Sequence, residues 1–133
     1  MSDAPLPLFV YGTLRLGEPA FAQVAAFVLR VEPAVLPDAV LYDLGAFPMA
    51  VPAEGEVHGE LLHLEPRLYP YLLHRLDRYE GYDSRSDSGL FLRRAVEVTV
   101  MSGEKMTAWT YLGHAGEVAE ARHIAGGDWL RRG

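Results

Sequence analysis

A chain of 133 residues, half of them hydrophobic, is long enough to bury one core and too short for two, so a single domain over 1–133 is expected. Its formal charge of −6, with scattered arginines and no basic stripe, argues against nucleic acid as a partner. The absence of cysteine excludes thiol catalysis, disulfides and zinc–thiolate sites together. No apolar run approaches the roughly 20 residues that cross a bilayer, which argues against a membrane and for a soluble protein. Met1-Ser2-Asp3-Ala4-Pro5 has neither a basic n-region nor an apolar h-region, so a cytoplasmic address is the default expectation.

Short β-like runs dominate in chain order. The first, Pro7 to Tyr11, breaks at Gly12 into a small-residue turn closed by Gly17. Glycine tolerates backbone angles that other residues resist, and consecutive amides in a turn form an anion-binding concavity. The same residues also fit a plain strand and tight turn. Ala20 to Val28, alanine-rich after Pro19, reads as a helix. Strands are expected at Ala39 to Leu44 and Val57 to Leu64. A second helix is expected from Pro66, placed for a first turn, to Glu80, with Gly81 as its C-terminal punctuation. In Arg94 to Met101, Val96, Val98 and Val100 share one face while Glu97 and Thr99 take the other, the alternation of a half-buried strand. Ser102-Gly103-Glu104-Lys105 then turns the chain into a last strand, Met106 to Leu112.

The second helix carries the candidate chemistry. Leu68, Leu72, Leu76 and Glu80 follow at i+4 spacing, so an apolar stripe ends in a carboxylate at the edge of the core. Partial burial and the negative end of the helix dipole both raise a carboxylate's proton affinity towards the range of a general base at neutral pH. The alternative is a solvated Glu80, or one paired with Arg75, Arg78 or Arg94. Other chemistries are weaker. His58 and His63 are five apart and point to opposite faces of a strand, and no carboxylate-rich loop surrounds His114 or His123, so no metal site is expected. There is no Gly-x-Ser-x-Gly elbow; Ser84, Ser86 and Ser88 lie in a polar loop, and Gly12 to Gly17 lacks the Gly-Lys-Ser/Thr ending of a P-loop. Tyr111, on a strand face with Thr107 and Trp109, fits either a residue that lines a pocket with its hydroxyl or a core aromatic whose hydroxyl finds a local partner.

Tyr11-Gly12-Thr13-Leu14 together with Leu76-Asp77-x-Tyr79-Glu80-Gly81 resembles the gamma-glutamylcyclotransferase-like superfamily, in particular its small AIG2-like branch. The resemblance runs nearly end to end. Leu41-Tyr42-Asp43-Leu44-Gly45-x-Phe47-Pro48 and Val57-His58-Gly59-Glu60-Leu61 are similar to the family's middle strands; Arg93-Arg94-x-Val96-x-Val98, Ala108-x-x-Tyr111 and Gly127-Asp128-Trp129 are similar to its closing strands and tail. It implies an α+β fold: a small mixed-strand β-barrel with two or more flanking helices.

The resemblance further implies that Glu80 is the catalytic glutamate and that Tyr11, Gly12, Thr13 and Leu14 form the substrate loop, with Tyr111 beside the substrate. The implied partner is a small γ-glutamyl compound. Its α-amine attacks its own γ-amide carbonyl, closing 5-oxoproline and expelling an amine, with neither metal nor organic cofactor needed because both reacting groups share one short chain. One departure stands out. Phe91-Leu92 precede Arg93-Arg94 where the family commonly has a tyrosine just before the arginine pair, and the loop Asp83 to Gly89 is long and polar. Both changes are expected near the mouth of the pocket, where they leave Glu80 intact but bear on the leaving-group side of the substrate. A non-catalytic binding module of the same fold remains the alternative reading, and a hydrolase using water in place of the internal amine is a third.

Overall fold

The computed structural model describes residues 5–132. Met1 to Ala4, on which the expected cytoplasmic address largely rests, lie outside them. Strand β1 (Leu8–Val10) is buried on both faces: Phe9 points into one core with Leu41, Leu61 and Val98, while Leu8 and Val10 join a second with Leu62, Leu72 and Leu76. That double burial is why β1 reads as an unbroken apolar run with no alternation.

Two short 3-10 turns, Pro19–Gln23 and Ala25–Phe27, follow where a helix over Ala20 to Val28 was expected. Their bonds run i to i+3, as in Val24 N–H to Phe21 O and Phe27 N–H to Val24 O, and neither turn has a side-chain cap. So short an uncapped segment cannot repay helix nucleation from alanine propensity alone.

The expected strands at 39–44 and 57–64 are the ends of two much longer ones, β2 (Val28–Asp43) and β3 (Pro48–Leu64). These form one antiparallel hairpin, from Val28 opposite Leu64 to Asp43 opposite Pro48. Its register shifts between Pro37 and Ala39, where Asp38 takes φ 59°. A bulge sharpens local twist and tolerates proline, which donates nothing to a ladder. The ribbon therefore turns a corner at the point where sequence pattern suggests that the strands begin.

Helix α1 (Tyr69–Tyr79) starts three residues later than expected, with Pro70 rather than Pro66 in its first turn, and Leu68 is exposed rather than part of the apolar stripe. Leu72 and Leu76 are fully buried, each contributing about 1.5–3 kcal/mol to docking the helix. Gly81, at φ 71°, ends it as expected. A two-stranded flap, β4 (Tyr82–Asp83) and β5 (Ser88–Gly89), leads to β6 (Leu92–Val100) and β7 (Lys105–Leu112). These last two pair antiparallel through a turn at Gly103, φ 91°, as expected.

The sheet order β3-β1-β7-β6-β2 closes through the β2–β3 pairing, making a five-stranded barrel in which only β1 and β7 run parallel. Strand β8 (Arg122–His123) adds to the end of β2. Among the described residues α1 is the one α-helix, so the expected second flanking helix is replaced by 3-10 turns within an otherwise mixed α+β barrel. No helix among them is long and apolar enough to cross a membrane.

Candidate active site

The turn after β1 meets the end of α1 over a cavity of about 340 Å³, within the size range of small-molecule sites. Tyr11, Gly12, Thr13 and Leu14 from the turn, Tyr79 and Glu80 from the end of the helix, and Tyr111 from β7 all line it. Residues about seventy positions apart in sequence thus face one space.

The turn is held from behind. Arg15, 7 % exposed, donates through Nε and Nη2 to Glu60 and through Nη1 to Asp128, with N···O distances of 2.8–2.9 Å. Glu60 also accepts the Leu16 N–H at 3.0 Å. Two carboxylates around one arginine fix the chain leaving Leu14, and Arg15 N–H to Gly12 O closes the turn itself. Within it, the N–H groups of Gly12, Thr13 and Leu14 donate to no other described residue. Unpaired amides along a cavity are where an anionic group gains most. Glycine is required at 12 by space: a Cβ there would lie 2.6 Å from Pro48 Cγ, and the proline ring has little freedom to give way.

The tyrosines commit their hydroxyls to the protein. Tyr11 Oη donates to the Tyr111 carbonyl at 2.6 Å and accepts from Ala50 N–H at 3.2 Å, and burial pushes its phenol well above the ordinary range. Tyr111 Oη donates to Asp77 Oδ1 at 2.7 Å, and burial, then that bond, pushes its phenol up as well. Both residues line the cavity with their hydroxyls already bonded to the protein. Tyr111 lines the cavity, but its hydroxyl goes to a local partner, Asp77, rather than to the pocket. Thr13 Oγ1 lies 3.2 Å from Tyr79 Oη and links the turn to the helix.

Glu80 occupies the C-cap of α1, its N–H bonded to Leu76 O at 2.9 Å. Its carboxylate pairs with no arginine among the described residues: Arg94 is held by Asp87, and Arg75 lies over the Tyr71 ring. Burial alone raises its pKa from the usual 4.5 to about 7, while one side of the residue stays open to the cavity. One turn back, Asp77 is 6 % exposed and accepts a bidentate fork from Arg93 at 2.8 and 3.1 Å besides the Tyr111 hydroxyl. Arg93 in turn stacks over Trp109 and Tyr82.

The remaining wall is apolar. Phe47 and Phe91 stand 5.8 Å apart and tilted, joined by Ala46, Pro48 and Leu90. The polar loop Asp83 to Gly89 contributes no lining residue; only Leu90 and Phe91, just after it, do. Sequence reasoning quoted Asp77 and Arg93 without giving them roles, and did not single out Arg15, Glu60 or Asp128 as a cluster. The one available signal was their charge within apolar runs, which marks a burial problem but not the partner that solves it.

The site is thus an apolar cavity in the side of a closed barrel, with an amide-lined turn and one carboxylate on it. Residues 8–131 match the family described as gamma-glutamyl cyclotransferase, AIG2-like, and the chain belongs to that family. It is 32 % identical over 125 residues, 94 % of this chain and 96 % of the relative, to a Vibrio cholerae protein provisionally named gamma-glutamylcyclotransferase. Among solved structures it resembles YkqA from Bacillus subtilis, with TM-score 0.68 and 25 % identity over 93 % of this chain, which spans 39 % of that longer one. An AIG2-like protein from Mus musculus shares the fold, with TM-score 0.69 and 22 % identity over 91 % of this chain and 86 % of that one.

Proposed function

We propose that the protein is a gamma-glutamylcyclotransferase-type enzyme that releases an amine or amino acid from a γ-glutamyl compound as 5-oxoproline forms. Glu80 acts as base and then as acid. The observation that carries this reading is a carboxylate with pKa raised to about 7, facing the same cavity as the unpaired amides of Gly12 to Leu14.

Ionised Glu80 takes a proton from the substrate's α-ammonium, and the freed lone pair attacks the γ-carbonyl carbon of the same molecule. An α-amino group has an ordinary pKa near 8, so a base near 7 accepts its proton at little cost; raising the base from 4.5 lowers that cost by about 3 kcal/mol. The carbonyl oxygen becomes an oxyanion, where one well-placed N–H is worth about 3–4 kcal/mol. As the C–N bond to the leaving group breaks, protonated Glu80 gives its proton to the departing nitrogen and, ionised again, takes the second proton of the attacking nitrogen and passes it to the amine, which leaves as its ammonium form. The products are the five-membered lactam and a free amine. Proximity within one substrate supplies the rest of the drive, so the sequence of steps calls for no cofactor.

The test is incubation with a panel of γ-glutamyl amines and mass-spectrometric detection of 5-oxoproline. Stoichiometric 5-oxoproline and amine are expected. Binding without turnover across the panel would return the protein to the role of a binding module, and glutamate in place of 5-oxoproline would mean attack by water.

A further inference from the structure

The turn of Gly12 to Leu14 is anchored at both ends on one residue, Glu60. Upstream of the turn, Val10 is paired with Glu60 in the β1–β3 ladder. Downstream, the Glu60 side chain divides its oxygens: Oε2 accepts Nε and Nη2 of Arg15 at 2.9 and 2.8 Å, and Oε1 accepts the Leu16 N–H at 3.0 Å. The remaining arm of Arg15, Nη1, donates to Asp128 Oδ1 at 2.9 Å, across 113 positions of sequence. Asp128 is itself held in place. Its Oδ1 also accepts the Leu130 N–H, the preceding Gly127 O accepts the His58 N–H at 2.7 Å, and Ile124 and Trp129 to either side are sunk in the core that holds Tyr11.

Resting on the cyclisation reading, we infer that Arg15, Glu60 and Asp128 are positioning residues that aim the amides of Gly12 to Leu14 at the developing oxyanion, so that the C-terminal segment 124–131 helps to set the rate. Stability alone does not call for such a cluster. Desolvation of buried charges offsets their attraction, and an apolar set of equal volume holds a fold together as well. Direction is what the cluster adds. An arginine fork takes partners along its N–H bonds, so carboxylates on two firmly packed segments, β3 and the tail, leave Arg15 one position. Its own N–H bond to Gly12 O passes that position to the turn. None of the three side chains is among the residues that line the cavity, so their influence on a substrate runs through the amides. Oxyanion donors count only where the charge develops, and a displacement of about 1 Å at a reacting centre costs about a hundredfold in rate.

The experiment follows 5-oxoproline in steady state for wild type, Arg15→Lys, Asp128→Asn and the double variant, on the γ-glutamyl amine that wild type turns over fastest, with circular dichroism and denaturant midpoints alongside. Lysine keeps the charge and loses the fork; asparagine keeps the volume and an acceptor for the Leu130 N–H and loses the charge. Arg15→Lys is expected to lower kcat by about tenfold to a hundredfold and Asp128→Asn by about threefold to tenfold, with KM within about twofold of wild type, because the oxyanion exists in the transition state and not in the bound substrate. The double variant is expected to be no slower than Arg15→Lys, since both changes act through one guanidinium. The pH limb governed by Glu80 should not move, because Glu80 sits on a different element, the C-cap of α1. Folded variants with wild-type kcat, whatever their midpoints, losses that multiply in the double variant, or a loss carried by KM alone overturn the inference and leave cyclisation standing. Should Arg15→Lys fail to fold, Asp128→Asn carries the kcat and KM comparison by itself. No 5-oxoproline from wild type across the amine panel overturns cyclisation and this inference together.

Discussion

Asp77 and Glu80 are two carboxylates three residues apart on one helix, and the fold treats them in opposite ways. Asp77 is surrounded by donors: both arms of Arg93 and the Tyr111 hydroxyl. Glu80 has none and has lost much of its water, so its proton affinity climbs to about 7. The same residue chemistry becomes a clamp in one place and, under the proposed mechanism, a proton acceptor in the other. Partner supply makes the difference, because a buried charge either finds compensation or moves towards its neutral form. The clamp also serves the acceptor: by tying α1 to β6 and β7 it holds the C-cap on which Glu80 sits.

The sharpest way to separate the pair is Glu80→Gln, which keeps size and hydrogen-bonding reach but accepts no proton near neutral pH. Under the proposed mechanism kcat should fall by about a hundredfold to ten-thousandfold, nearer the larger figure since one group serves as base and acid. Binding should weaken only moderately, and the circular-dichroism spectrum should match wild type. A folded variant with full turnover would take Glu80 out of the chemistry.

Asp77→Ala attacks the other member. It strands the Arg93 guanidinium without its counter-charge in a buried site, and removing one partner of such a pair costs about 3–5 kcal/mol. Chemical denaturation should register that loss as a lower midpoint. An unchanged midpoint would mean that the Asp77 cluster is not the clamp described above.

Next in size is the pH profile. Since the base must be ionised, kcat/KM should fall tenfold for each pH unit below about 7 and level off above it, on the side governed by Glu80. A limb that breaks near 4.5 would show an ordinary, solvated carboxylate.

The smallest effect concerns stability. Glu80's folded pKa lies above its usual 4.5, so the fold favours the protonated form; that contribution is fully present below about 4.5 and is lost as pH rises through about 7. Glutamine does not ionise. Relative to wild type, Glu80→Gln should therefore gain about 1–3 kcal/mol between pH 5 and pH 8, the lower end allowing for the residue's remaining solvent contact. Denaturant midpoints of both proteins at the two pH values test it, and a gap that does not widen with pH would contradict the burial of Glu80.

Local pattern alone carried several parts of this molecule. The apolar run of β1 and its break at Gly12, the alternation of Val96, Val98 and Val100, the turn at Gly103 and the stop at Gly81 are all set by neighbours in the chain, where side-chain period and glycine's angles act directly. The order of the short motifs carried the family and the barrel. Other features depended on contacts that no local window contains. Prolines 33, 37 and 52 suggest breaks, yet β2 and β3 run through them because each strand is held along its length by the other and the irregularity is absorbed in a bulge. Ala20 to Val28 has helical composition, but a short, uncapped stretch takes tighter turns instead. The pairing of Asp77 with Arg93 and Tyr111, and of Arg15 with Glu60 and Asp128, likewise awaited closure of the barrel. Glu80's spacing marked it as a carboxylate at the core's edge; whether it met an arginine or an empty-handed cavity wall was decided by which strands lie beside α1, because electrostatic environment is a property of space and not of sequence distance.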